Sequence, residues 1–164
     1  MADFKIIDQN LIINHQRAVF YLDGIEAYRL NSNIFKTKLT LSNEHKEESY
    51  IIKRSVFNIK NKHSIYDNNK VKVADVRLEK RFTFKSRNNV LLQISNQEYV
   101  VYGRPSDLDF EIRLNHQLVF RIFKHDTDKN NKRSIYVDDS FNSELMIAVM
   151  FAIILVNDYA EGNN

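Results

Sequence analysis

Glycine, proline and cysteine are scarce in this chain of 164 residues, and each shortage excludes a class of chemistry. There are three glycines, one proline and no cysteine, whereas average usage would give about twenty glycines and prolines together. Glycines at 24, 103 and 162 alone cannot form a dinucleotide-binding fingerprint, a P-loop or a nucleophile elbow. The absence of cysteine excludes disulfides, thiolate metal sites and a cysteine nucleophile.

Long apolar runs are also scarce. The one extended run, from Leu145 to Val156, has twelve residues without a polar side chain, and a membrane-spanning helix needs about 20. The first ten residues carry charges where an export signal needs an unbroken apolar stretch. We therefore expect a cytoplasmic protein without a transmembrane segment, as a single domain over 1–164.

Most of the remaining sequence is typical of β-strands. Short β-branched and aromatic stretches alternate with polar breaks at intervals of about 8–12 residues, a pattern of all-β sandwiches and barrels. Alternation is clearest in 81–85 and 109–114. The predicted strands are 11–13, 18–22, 27–30, 37–41, 50–57, 71–78, 81–85, 90–94, 98–102, 110–114, 117–123 and 134–137.

Asparagine stands where turns usually have glycine. The dipeptides Asn68-Asn69, Asn88-Asn89, Asn115-His116 and Asn130-Asn131 lie between predicted strands, and asparagine tolerates the left-handed backbone conformation of tight turns. These breaks predict hairpins in an antiparallel meander.

The pattern changes to helix at the end of the chain. Asn142 and Glu144 supply a cap and a first-turn acid, so we predict a helix over about 143–158. This helix is apolar on every side and must be surrounded. A closed antiparallel barrel of about 12 strands is wide enough to enclose it.

A meander of about twelve strands ending in one apolar helix resembles the tubby C-terminal-like superfamily, within it the small LURP-one-related and scramblase-like branch. The residues that carry the resemblance are 107–124, Ser134–Asp139 and the helix ending in Val156-Asn-Asp158. The resemblance implies a barrel around a central helix, no established enzymatic chemistry in the small members, and phosphoinositide binding or membrane association in some relatives. It assigns no lipid-contacting residue to a position in this chain.

Positive charge is concentrated in the middle of the sequence. Residues 51–100 carry 11 Lys and Arg against 4 Asp and Glu, although the whole chain has a net charge of only +3. Outward residues of adjacent strands lie side by side, so these cations can form a surface that attracts phosphate groups of phospholipids or other anionic ligands. The candidate anionic-ligand-binding residues are Lys53, Arg54, Lys70, Lys72, Arg77, Lys80, Arg81, Lys85 and Arg87.

Two other interpretations of the same charges stay open. In the first, the charges only keep the barrel soluble, and the barrel serves as a protein-interaction module. In the second, the charges bind nucleic acid together with the aromatic residues Tyr66, Phe82 and Phe84. The alternation of Phe82 and Phe84 with polar residues favours burial of both rings, and no nucleic-acid-binding motif is present.

Catalytic and metal sites lack sequence support. The five histidines, at 15, 45, 63, 116 and 125, fall in predicted turns without metalloprotease spacing. Asp126, Asp128 and Asn130 are spaced like the start of a calcium loop, but its sixth position is Asn131 and its twelfth is Val137, so glycine and the bidentate glutamate are missing. We predict no enzyme, no catalytic residues, no metal and no cofactor. An uncharacterised enzyme stays open as a further alternative, because catalytic residues distant in sequence can converge in a fold.

Overall fold

The structure, a computed structural model, describes residues 4–6, 18–22, 25–33, 37–55, 62–79, 89–124 and 133–161. These residues form twelve strands, a 3₁₀ turn at Pro105–Asp107 and one helix, α1, at Ser143–Glu161. The strands are β1 (Phe4–Ile6), β2 (Ala18–Leu22), β3 (Ile25–Ser32), β4 (Lys38–Asn43), β5 (Glu48–Arg54), β6 (Lys62–Asp67), β7 (Lys72–Glu79), β8 (Asn89–Ile94), β9 (Gln97–Arg104), β10 (Asp109–Leu114), β11 (Gln117–Lys124) and β12 (Arg133–Val137).

All strand pairs are antiparallel, and each strand from β2 to β12 pairs with its neighbour in sequence. The three-residue β1 pairs with both β2 and β12. The prediction of a mainly β fold with one C-terminal helix is confirmed.

Residues alternate between the two sides of the sheet, as the period of a strand requires. The inner side of β5, β6 and β7 carries fully buried apolar residues: Ile52 on β5, Ile65 directly opposite it on β6, and Val76 on β7. The residues next to them in sequence are half-buried or, like Lys53 and Arg77, exposed. The buried side of the sheet forms one hydrophobic core with α1.

Helix α1 begins at a side-chain cap and is buried through most of its length. The Leu145 N–H donates to Asn142 Oδ1 (2.9 Å), which satisfies one of the free donors of the first turn. Every residue from Met146 to Val156 is at most 7% exposed. The helix contacts β4, β5, β6, β7 and the 3₁₀ turn. Because these neighbours lie on several sides of the helix, its all-apolar surface is buried.

Two of the predicted asparagine turns are confirmed. Asn68-Asn69 connects β6 to β7, and Asn115-His116 connects β10 to β11 with φ of 49° and 71°. Ser95-Asn96 makes a further turn of this kind, with φ of 47° and 65°. Two consecutive left-handed residues match the twist of a two-residue hairpin. Asn88 and Asn130-Asn131 lie outside the described residues, while Asn89 begins β8.

The sequence interpretation overlooked two strands, β1 and β6. It placed His63 in a turn, but this side chain is on β6 and fully buried. Helix α1 ends at Glu161 instead of about 158. The predicted strands 11–13 and 81–85 lie outside the described residues.

Candidate anion-binding surface

Five basic side chains lie on the outer surface of four consecutive strands, β4 to β7. We call this set the basic face and define it by Lys38, Lys53, Lys62, Lys72 and Arg77. All are exposed except Lys62, which is half-buried. Their outward direction follows from the strand period, because Leu39, Ile52, His63 and Val76 point into the core from the adjacent positions.

The register of the strands brings like charges together. Lys38 on β4 lies directly opposite Lys53 on β5, and Lys62 on β6 lies directly opposite Arg77 on β7. Lys53 is opposite Ser64, two residues from Lys62, so Lys53 and Lys62 are diagonal neighbours at about 7–8 Å between their backbones. The two pairs therefore form one diagonal of positive charge across four strands.

One carboxylate, Asp75 on β7, offsets part of this charge. It accepts a hydrogen bond from Lys72 Nζ (2.8 Å) and one from Ser64 Oγ (2.6 Å), and Lys62 Nζ lies 3.5 Å from its Oδ1. Partial burial acts to raise the pKa of Asp75, but the hydrogen bonds from Lys72 and Ser64 and the nearby lysine charges outweigh it and leave the pKa below its usual value. Asp75 is therefore an ionised partner for two of the five cations.

The other three cations are not neutralised by the described part of the chain. Lys53 Nζ lies 5.1 Å from the centre of the Tyr66 ring, a cation–π contact that orients the ammonium without cancelling its charge. Lys38 and Arg77 form no ion pair with any residue in the described ranges. These groups are available to a ligand that carries negative charge.

The structure places the predicted site residues in different locations. Lys53, Lys72 and Arg77 come together on the basic face, while Lys70 lies in the turn between β6 and β7. Arg54 is on the inner side of β5, opposite the buried His63. Lys80, Arg81, Lys85 and Arg87 lie outside the described residues.

Sequence reasoning missed Lys38, which lies outside the basic segment 51–100, whereas Lys62 lies within that segment. The alternation of apolar and polar residues in β4 could have indicated that Lys38 points outward. In the structure Leu39 and Leu41 are buried, whereas Lys38 and Thr40 are not. That alternation shows which residues point outward, whereas the pairing partner depends on register.

His63 makes the inner side of β6 electrostatically unusual. Burial, and secondarily the charge of Arg54, lower the pKa of His63 to about 4. Its imidazole is therefore neutral near pH 7. The fully buried His63 and the half-buried Arg54 are therefore polar side chains on the inner side of the sheet, opposite the side that carries the basic face.

The described ranges contain neither a metal-binding cluster of side chains nor a helix suited to span a membrane. No group of three or more His, Cys, Asp and Glu side chains there is arranged to hold a metal ion. No helix in that part of the chain has both the length and the apolar character needed to cross a membrane. The calcium-loop-like segment 126–131 lies outside those ranges.

Comparison with known proteins gives a similarity of fold. The X-ray structure of the Arabidopsis thaliana protein AT5G01750 matches with a TM-score of 0.62, over 97% of this chain and 91% of that one, at 11% sequence identity. No family model matches the sequence, and no curated protein does. At this identity the likeness concerns the fold alone.

Proposed function

We propose that this chain is a non-catalytic binding or scaffold module whose basic face binds anionic ligands, among them the phosphate headgroups of phospholipids. One observation carries the proposal: two pairs of like charges, Lys38 with Lys53 and Lys62 with Arg77, lie directly opposite each other on neighbouring strands. Directly opposed like charges destabilise a sheet. An anion bound between them converts this repulsion into attraction.

The ligand that fits this arrangement carries more than one negative charge. The centres of the two pairs lie two strand spacings apart and are offset by two residues, so phosphate groups about 12 Å apart can each contact one pair. Asp75 limits the surface on one side, because it engages Lys62 and Lys72 and repels an anion placed over it. Anions therefore bind to the part of the basic face that lies along the diagonal from Lys38 to Arg77.

The module we propose has the tubby C-terminal-like architecture of a closed barrel around a helix. The pairing of β1 with both β2 and β12 and the burial of α1 support it. We further propose a cytoplasmic protein that is peripheral at the membrane, since a strip of exposed cations binds the anionic cytoplasmic leaflet with about 1 kcal/mol per Lys or Arg.

Pelleting with vesicles tests this function. The full chain is mixed with phosphatidylcholine vesicles with or without phosphatidylserine, at low and raised salt. We expect binding to the anionic vesicles only, reduced by salt because exposed charges are screened. Free pyrophosphate is added as a competitor, and its displacement of the protein from vesicles shows that phosphate itself is recognised.

A charge-reversal variant assigns the binding to the basic face. Replacing Lys53 and Lys62 together with Glu removes two cations, each contributing about 1 kcal/mol, so binding falls about thirtyfold or more. Lys46→Glu in the exposed β4–β5 turn is the matched control and retains binding. Equal binding by wild type and the double variant, or binding that ignores anionic lipid, overturns the proposal.

A further inference from the structure

A second outer surface, on β8 to β10, has exposed apolar side chains. Val100 is 50% exposed and Tyr102 is 46% exposed, and both point outward from β9. Val100 lies opposite the half-buried Leu91 on β8 and opposite Arg113 on β10. We call Leu91, Val100 and Tyr102 the β9 patch. Exposed apolar side chains grouped in this way mark interaction sites more often than scattered ones do.

Charged residues lie on both the β7 side and the β10 side of the β9 patch. Arg77 lies opposite Leu91 on the β7 side, so two cations, Lys62 and Arg77, continue the row that contains Leu91 and Val100. On β10, Arg113 Nε donates to Glu111 Oε1 (2.6 Å), and the guanidinium of Arg113 lies 5.9 Å from the centre of the Tyr102 ring. The positive side of the patch is thus the β7 side, because the cation on the β10 side is already paired.

We infer that the β9 patch docks a protein segment with an apolar anchor residue and a carboxylate about 10 Å from it. The anchor covers Val100 and Tyr102, and the carboxylate reaches Arg77. Two strand spacings separate Val100 from Arg77, which sets the distance at about 10 Å. An extended segment spans this distance in about three residues, since each residue advances about 3.3 Å.

One acidic residue, Glu98, favours a protein segment over a bilayer as the occupant. Glu98 is next to Val100 on the outer side of β9 and is exposed, whereas the charge of Glu111, opposite Tyr102, is offset by Arg113. A bilayer that carries negative charge over its whole surface would meet the Glu98 carboxylate. A protein segment can place its own carboxylate on the Arg77 side alone, which is the complementarity that gives specificity at interfaces.

Peptide display tests the inference with a defined probe. A phage library of random peptides, about twelve residues long, is selected on the wild-type chain after depletion on the Val100→Lys variant. We expect enriched peptides with a large apolar residue and an Asp or Glu about three positions away. An enriched peptide is then synthesised with a fluorescent label and titrated by anisotropy.

The variants distinguish this surface from the rest of the chain. Val71→Lys changes a side chain that is 57% exposed in the connection between β6 and β7, six residues along the chain from Arg77. This variant retains peptide binding, whereas Val100→Lys weakens binding at least tenfold. Arg77→Glu also weakens it, and a peptide with Lys in place of its acid recovers affinity for Arg77→Glu. Failure to enrich peptides that discriminate Val100→Lys, loss of binding in Val71→Lys, or absence of charge-swap recovery overturns the inference.

Vesicle pelleting with the same variants tests whether a bilayer, instead of a protein segment, contacts the β9 patch. If Val100→Lys abolishes binding to phosphatidylserine vesicles and the library yields no discriminating peptide, the patch contacts a bilayer and the inference is wrong. Arg77 belongs to both the basic face and this site, so Val100→Lys, which changes no residue of the basic face, is the variant that tests the inference apart from the anionic-ligand proposal. Lys53→Glu and Lys62→Glu report on that proposal separately.

Discussion

Acidification should destabilise this protein through one side chain, His63. Its imidazole is fully buried on β6, beside Arg54, and its pKa is lowered from 6.5 to about 4 by burial and then by the charge of Arg54. Protonation therefore costs more in the folded state than in the unfolded state. The stability that the neutral imidazole contributes is fully present above pH 6.5, the pKa of His63 in the unfolded state. This contribution is lost progressively as the pH falls below 6.5, and the loss is complete below about pH 4, the pKa in the folded state.

The magnitude follows from the two pKa values. A difference of about 2.5 pH units at 1.36 kcal/mol each gives a full loss of about 3 kcal/mol. Integration between about pH 7.5 and about pH 5 gives a loss of about 2 kcal/mol. Asp75, whose pKa lies below its usual value, titrates at lower pH and adds little in this window.

Urea unfolding at both pH values measures this loss. We expect His63→Leu, which is of similar size and cannot be protonated, to lose about 2 kcal/mol less stability than wild type over this range. His45→Gln in an exposed turn is the control and behaves as wild type. The reasoning is refuted if wild type and His63→Leu show the same pH dependence.

Further changes test the fold. Ala152→Glu places a carboxylate in α1 where the wild-type side chain is fully buried, so circular dichroism should show no folded protein, whereas Val71→Glu at an exposed turn should fold. Gly103→Ala adds a Cβ 2.6 Å from a backbone oxygen at a φ of +104° and should lower the free energy of unfolding by a few kcal/mol; an unchanged urea midpoint would contradict this close approach. Asn142→Ala removes the acceptor for the Leu145 N–H, and thermal unfolding should show a loss of about 1 kcal/mol, with no loss arguing against the cap.

The parts of the fold that sequence could predict are those with a strong local pattern. Alternation in 109–114 predicted β10, and the twelve-residue apolar run predicted α1, because each period is visible within one element. Strand β6 was missed because Lys62-His-Ser-Ile-Tyr-Asp67 has only Ile65 and Tyr66 as apolar residues. Its second inward residue is His63, a polar type in a buried position.

The candidate site depends on register, which local sequence does not determine. Lys53 and Arg54 are neighbours in sequence and were predicted to share a surface, but consecutive strand residues point to opposite sides. Lys38 joins the basic face from another part of the chain through its pairing with Lys53. The partial neutralisation by Asp75 likewise arises from contacts among β6 and β7.

Titration of the labelled chain with pyrophosphate, followed by backbone amide NMR, tests the central claim most directly. We predict saturable shifts on β4 to β7 that are centred on Lys38, Lys53, Lys62 and Arg77 and that disappear in the Lys53→Glu, Lys62→Glu double variant. Lys46 in the opposite turn should not shift. Saturable shifts centred elsewhere, or a spectrum that does not change with pyrophosphate, would contradict the assignment of anion binding to the basic face.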